Sequence, residues 1–340
     1  MRYFWINPLE DSRWDAFVAA HPWSSVFHTS AWLKALRRTY GYAPVAVTMS
    51  PPGQELENGV VFCRVESVLT GKRLISLPFS DHCQPLASDE ALSDMAPEMM
   101  GAVNREHMKY GELRPLATGV PGEFAVSQRC FFHVVDLRPS IEEIHRKLHA
   151  DCIRRKIRRA EKEGLTSDAG RSDKLLDEFF ALQVITRRRF GLPPQPKGWF
   201  RNLLAAMGEN AVIRVARHEG RAVAAILTLR HKNTAVYKYG CSDVNDSYRG
   251  GTQLILWQEI EEAKSEGREA LDLGRCDLDD TGLAVFKERW GAARRELNYY
   301  RYPLWHKGAL SGFGIMKEIL TRLPAPVLVA AGRLLYRHMA

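Results

Sequence analysis

The second half of the chain alternates between two periods. Thr234-Ala-Val-Tyr-Lys-Tyr-Gly240 changes character at every second residue and predicts a half-buried strand. Tyr248-Arg-Gly-Gly-Thr252 then opens a segment in which Leu256, Ile260 and Ala263 recur at helical spacing. Ala270-Leu-Asp-Leu-Gly274 reads as a buried strand. Phe286-Lys287 belongs to a short helix before Trp290-Gly291, and a last strand runs to Tyr302. Upstream, a helix is expected over 175–188 and strands over 211–216, 222–230 and 234–239.

The first half shows the same order. A helix over 30–36, with Ser30 as its cap, precedes strands at 45–48, 59–65 and 74–77. A helix over 91–109 follows, then strands near Leu113 and over 131–137. Helix, three strands, helix, strand is thus written twice without shared letters, a repeat of topology alone. The predicted fold class is α/β with mixed sheets: two tandem domains, 1–140 and 141–305, and an amphipathic helical tail over 306–340. Between the halves, 142–164 reads as one basic helix ended by Gly164. Arg155, Arg159 and Lys162 share one face of it, and Ile153 and Ile157 mark another. Two readings stay open there, a solvated helix and a phosphate-binding face.

Composition narrows the classes. With 340 residues, 45% hydrophobic and 26% charged, the chain is globular rather than disordered. Its formal net charge of +8 favours anionic partners such as phosphorylated cofactors, RNA or an anionic membrane face. Six scattered cysteines without CxxC spacing read as reduced thiols, so no metal is expected. The first residues lack the apolar core of a signal peptide, and no run approaches the ~18 apolar residues of a membrane span. A cytoplasmic body is the expectation. In the tail, Phe313, Ile315, Met316, Ile319, Leu320 and Leu323 interleave with Lys317, Arg322, Arg333 and Arg337. That pattern fits either a basic hairpin on the inner face of a membrane or a helix pair docked on the protein.

The chemistry-bearing candidates cluster late in the chain. A glycine turn feeding a helix presents backbone N–H groups suited to a phosphate, which singles out Arg249, Gly250 and Gly251. Tyr237 and Tyr239, two apart on a strand, share a face and line either an acyl pocket or the core. Asp272, buried at a strand end, requires a partner, and Arg275 is the nearest one. No Gly-x-Ser-x-Gly elbow and no Cys/His pairing is visible, so a covalent enzyme intermediate has no support.

Several stretches together resemble the Fem-type branch of the GNAT superfamily. These are Asp272-Leu-Gly-Arg275, Gly282-Leu-Ala-Val-Phe-Lys-Glu-Arg-Trp-Gly291, Phe27-His-Thr-Ser-Ala-Trp32, Leu77-Pro-Phe-Ser-Asp81, Arg154-Arg-Lys-Ile-Arg-Arg-Ala160 and Thr186-Arg-Arg-Arg-Phe-Gly-Leu-Pro193. The resemblance covers roughly residues 25–303 and implies a tandem acyltransferase fold. It implies that Phe286 and Lys287 lie in the transfer site, and that Asp81, where the family has a Gly-Pro-x-x-Asp turn, is a general-base candidate. Leu77 replaces that glycine here, and His82 follows. Arg155 and Lys156 fall where the family contacts an acceptor's diphosphate. Tyr239, Asp272, Arg275 and Trp290 complete the binding candidates. Only Arg249 and Gly251 fit the pyrophosphate loop cleanly, since Gln253 stands at its second small position.

The function implied is direct N-acyl transfer from acyl-CoA or aminoacyl-tRNA, with no tightly bound cofactor. The acceptor would be an amine on a phosphate-bearing envelope, peptidoglycan or polysaccharide precursor, or an amino sugar. The alternative is a catalytically inactive scaffold in an envelope polysaccharide system. An RNA-binding protein ranks last, because no RNP motif, KH loop or zinc finger is visible.

Overall fold

The computed structural model describes residues 2–117, 119–304 and 320–339. The chain forms two compact units. The first comprises Met1–Cys130, the strand residues from Glu296 on and the last residues from Leu335; the second comprises Phe131–Arg295 and the helix leading to Leu335. The compact units therefore divide at Cys130/Phe131, ten residues before the boundary expected at 140, inside a single long strand. The described part of the tail is shared between the two units.

The first unit runs β1 (Phe4–Ile6), α1 (Arg13–Ala20), α2 (Ser30–Tyr40), β2 (Ala43–Thr48), β3 (Val60–Val65), β4 (Arg73–Ile75), α3 (Asp89–Arg105) and β5 (Gly111–Leu113), with the start of β6 (Ala125–Asp136). Strands β1 to β4 pair antiparallel in sequence, and α3 crosses over to bring β5 parallel to β4. The end of β12 (Ala293–Tyr302) pairs antiparallel with β5, Tyr300 opposite Leu113. Leu92, Met95, Met99 and Val103 of α3 pack on Val45, Val47, Phe62 and Leu74 of the strands. The N-cap of α2 is Thr29, whose side chain accepts the Trp32 N–H at 3.3 Å. Ser30, expected as the cap, is one residue inside the helix, its hydroxyl donating to Asp15.

The second unit takes up β6 and continues with α4 (Ile141–Lys147), one π-helical turn (Ala150–Arg154), α5 (Arg155–Lys162), β7 (Thr166–Gly170), α6 (Asp173–Arg189), α7 (Lys197–Met207), β8 (Ala211–His218), β9 (Arg221–His231), β10 (Thr234–Ser242), α8 (Gly251–Ser265), β11 (Ala270–Asp277) and α9 (Thr281–Glu288). Its strands lie in the order β6-β11-β10-β9-β8-β7. Strands β8 to β10 pair antiparallel, and α8 crosses over to bring β11 parallel to β10. The antiparallel run, crossover helix and parallel strand of the first unit therefore recur, the topological repeat expected from the two halves.

The single basic helix expected over 142–164 is broken. Leu148 and His149 leave helical geometry, with ψ of 138° and 126°, and the chain restarts on the His149 side chain, whose Nδ1 accepts the Cys152 N–H at 3.2 Å. Burial explains the break: Ile144, Leu148, Ile153 and Ile157 all enter one core with Leu254, Leu256 and Ile260 of α8, and a continuous helix at 3.6 residues per turn spreads these four over too wide an arc.

Helix α10 (Ala325–Leu335) buries Leu328 and sets Gly332 against the Pro194 carbonyl. Beyond it Tyr336 is buried beside Phe79, and the Tyr42 hydroxyl donates to the Arg337 carbonyl at 3.0 Å. This end of the tail docks on protein. The tail residues Phe313, Ile315, Met316, Lys317 and Ile319 lie outside the described residues. Among the described residues no helix is long and apolar enough to cross a membrane.

Candidate active site

Strand β11 ends in a turn built by one carboxylate and one glycine. Asp272, buried, accepts the Gly274 N–H on its Oδ1 at 2.6 Å. Gly274 adopts φ +72°, a conformation open to glycine at little cost. Turned this way, the Gly274 and Arg275 carbonyls face Lys287, whose Nζ donates to them at 2.9 and 2.8 Å. Lys287 is only 3% exposed. Its helix α9 begins at Asp280, whose side chain accepts the Leu283 N–H at 3.1 Å. Asp280 thus fixes the helix that carries Lys287, and Lys287 fixes the strand end opposite it.

His133 on β6 stands beside this group, fully buried. Its Nδ1 lies 3.9 Å from Cys276 Sγ, and its Nε2 lies 3.9 Å from Glu288 Oε1, with no hydrogen-bond partner among the described residues. Burial and then the Lys287 charge push its pKa down to about 4, so the imidazole is neutral at neutral pH. Arg294 holds the Glu288 carboxylate at 3.0 Å. Burial raises the Cys276 pKa and keeps it a thiol. His133 was not foreseen. Its signal was a histidine inside the apolar run Phe131-Phe132-His133-Val134-Val135, where a polar ring has to be buried.

Strands β10 and β11 pair only from Thr234 opposite Ala270 to Val236 opposite Asp272, although both continue beyond. At that point β10 carries a bulge. Tyr237 is opposite Thr228 and Tyr239 opposite the adjacent Leu227, so Lys238 is an extra residue. The bulge overturns the expectation that the two tyrosines share a face. Tyr237 packs in the core under α5 and α8, whereas the Tyr239 hydroxyl accepts the Trp199 Nε1–H at 2.9 Å and its ring meets Phe200 edge-on. Tyr239 therefore lies with α7.

The remaining candidates divide. Phe286 is half-buried against Trp290, ring centroids 6.4 Å apart, and Trp290 itself is 1% exposed and packs in the core. Arg275 pairs with Asp277 at 2.9 Å, and the Asp272 carboxylate accepts the Gly274 N–H. Gly250 adopts φ +83° and lies so close to the Lys156 carbonyl that a Cβ there would run into it. Lys156 and Gly250–Gly251 are thereby brought together at the start of α8. Arg249 is bracketed by Asp246 at 3.0 Å and Glu163 at 2.7 Å, and its guanidinium stacks on Tyr248. Arg155 is exposed and reaches Asp151 at 3.4 Å. Asp81 lies in the first unit, in a turn held by Arg114, which donates to the Leu77 and Ser80 carbonyls, and by Tyr299, whose hydroxyl donates to the Asp81 carbonyl at 2.6 Å. His82, next to it, is buried edge-on to Phe27. The six cysteines are free thiols, and no cluster with metal-ligand composition occurs among the described residues.

A doubled antiparallel run with a crossover to a parallel strand, splaying after one short register, is the GNAT fold in tandem. Residues 149–288 match an acetyltransferase (GNAT) domain. The chain is 28% identical over 144 residues, 41% of its own length, to a UDP-N-acetylmuramoylpentapeptide-lysine N(6)-alanyltransferase of Weissella viridescens, and spans 42% of that protein. Among solved structures it resembles FemX, with a TM-score of 0.64 at 14% identity, covering 88% of this chain and 97% of that one. A tandem GNAT protein from the clavulanic acid biosynthesis pathway gives 0.56 at 10% identity, covering 90% and 99%. Residues 149–288 thus match the GNAT acetyltransferase family, and the chain as a whole is similar in fold to Fem-type proteins.

Proposed function

We propose that this protein is an N-acyltransferase that moves an acyl or aminoacyl group from an activated donor to an amine of a phosphate-bearing cell-envelope precursor. The observation that carries the reading is the divergence of β10 from β11 beside the buried Lys287. Past Val236 and Asp272 the two strands no longer use their facing backbone groups on each other, and N–H groups around Tyr239 to Cys241 are the donors we assign to a tetrahedral oxyanion. Lys287 acts as a positioning residue that holds the Gly274–Arg275 backbone, and its charge adds to the field at that end of the strands. Attack by the amine is direct, since the thiol nearest Lys287, Cys276, is buried with its pKa raised. Asp81 remains the proposed general base.

The state of the donor loop favours aminoacyl-tRNA over acyl-CoA. Glu163 and Asp246 set two carboxylates against the start of α8, and Lys156 covers Gly250, which opposes entry of a pyrophosphate. Thermal stabilisation by charged tRNA, uncharged tRNA and acetyl-CoA separates these donors. A shift with charged tRNA is expected; a shift with acetyl-CoA alone would reverse the donor choice. Exposed Val327 and Leu334 on α10, beside Arg333, support peripheral contact with an anionic membrane face, which liposome binding that weakens with salt would bear out.

A further inference from the structure

An open cleft of about 420 Å³ is lined by Lys147, His149, Val285, Glu288 and Arg289. Val285, Glu288 and Arg289 fall on one face of α9 and its last turn, at i, i+3 and i+4, whereas Lys287 points the other way into β11. The cleft is thus separate from the β10/β11 opening. We propose that it binds the phosphate or diphosphate group of a small phosphorylated molecule.

The charges support this. Lys147, His149 and Arg289 are all exposed and, among the described residues, none is in an ion pair. The one carboxylate in the lining, Glu288, is held by Arg294 at 3.0 Å. Asp136, on which the Lys147 charge also acts, is occupied by Arg138 at 2.9 Å. Lys147 and Arg289 stand at the C-terminal ends of α4 and α9, where a cation complements the helix dipole. That role needs one cation at each end; it does not require both to converge with a histidine on a common cleft.

The walls are fixed before anything binds. The His149 N–H donates to the Arg289 carbonyl at 2.9 Å, tying the two sides together. Gly291, at φ +74°, lets the next turn approach until a Cβ there would lie 3.2 Å from the Lys147 Cβ. His149 Nδ1 accepts the Cys152 N–H, so the neutral ring carries its proton on Nε2 as a donor. An ammonium, a guanidinium fork and an imidazole N–H then offer donors alone, the complement of phosphate oxygens. The cleft is open to solvent, so the rest of a phosphorylated molecule can extend from it.

Sodium pyrophosphate, titrated calorimetrically into the full-length protein at constant ionic strength, tests the proposal, with the His149 ring proton followed by NMR. Saturable binding that shifts the His149 signal is expected. Lys147→Gln and Arg289→Gln, both at exposed positions, should each weaken it about tenfold. His149→Asn, which keeps a capping acceptor for the Cys152 N–H, should weaken it less, and Lys174→Gln, at an exposed position on α6, should leave it unchanged. No saturable binding, or wild-type affinity in both Lys147→Gln and Arg289→Gln, overturns the proposal. The titration involves no group transfer, so its failure leaves the transferase reading standing, and failure of that reading leaves the site standing.

Discussion

Replacing Lys287 with methionine keeps the length of the side chain in its buried channel and removes the ammonium alone. Two hydrogen bonds disappear, to the buried Gly274 carbonyl and the partly buried Arg275 carbonyl. Bonds to a charged donor contribute about 1.5–3 kcal/mol each, a gross loss of roughly 3–6 kcal/mol. Relief from burying an ammonium recovers part of that, leaving a net destabilisation of about 1–3 kcal/mol. Urea unfolding measures it. Below the unfolding transition, turnover should fall at least tenfold, about 1.4 kcal/mol of transition-state stabilisation, because the β11 end is released and its field lost. His133 supplies an independent readout. Its pKa near 4 is depressed first by burial and second by the Lys287 charge, so in the variant it should rise yet stay below the ordinary histidine value of 6.5. NMR titration of the ring follows this directly. A folded variant with undiminished turnover and an unmoved His133 titration would remove Lys287 from the site.

Glu259 is buried between Arg214 and Arg230, and burial, partly opposed by the two arginines, raises its pKa. The native state therefore holds its proton more tightly than the unfolded chain, so this group's contribution to stability falls as pH rises above 4.5; Glu259→Gln should flatten that dependence in urea midpoints measured across pH. Glu112 behaves oppositely: burial pushes its pKa up, but Arg114 and Arg301 more than offset this and hold it low. Its contribution is present above the unfolded carboxylate value and lost as pH falls through the lowered one, and Glu112→Gln should cost about 3–5 kcal/mol near neutrality, read by chemical unfolding. Gly250→Ala should destabilise by roughly 1–2 kcal/mol from the left-handed backbone alone, and by more from the Lys156 carbonyl it meets; an unchanged melting temperature would contradict that close approach.

Local patterns carried most of the fold. The alternation at β10 and the helical spacing of Leu256, Ile260 and Ala263 were legible from local period, and β8 and β9, buried along almost their whole length, from their near-continuous apolar runs. Long-range pairing was not. The break at His149 depends on which core Leu148 and Ile153 share, and the Lys238 bulge depends on pairing with β9, so the helix and the Tyr237/Tyr239 face were misread. The core packing of Trp290 was not legible either, since an aromatic beside a glycine reads alike whether it lines a pocket or fills a core. Lys287 was singled out by resemblance, yet nothing in its neighbours announced that its ammonium would be buried on the carbonyls of Gly274 and Arg275. His133 and the Lys147–His149–Arg289 cleft join residues more than a hundred positions apart, beyond any spacing rule.

The measurement that bears most directly on the transferase reading is product formation. Wild-type protein and Lys287→Met are incubated with charged tRNA or acetyl-CoA and a panel of amine-bearing nucleotide-linked and lipid-linked envelope precursors, and acceptor masses are read by mass spectrometry. The account predicts an acceptor heavier by one aminoacyl group with the wild type and at least tenfold less with the variant. No mass increase with any pair, in a folded protein that neither donor stabilises against heat, would contradict it and favour the scaffold.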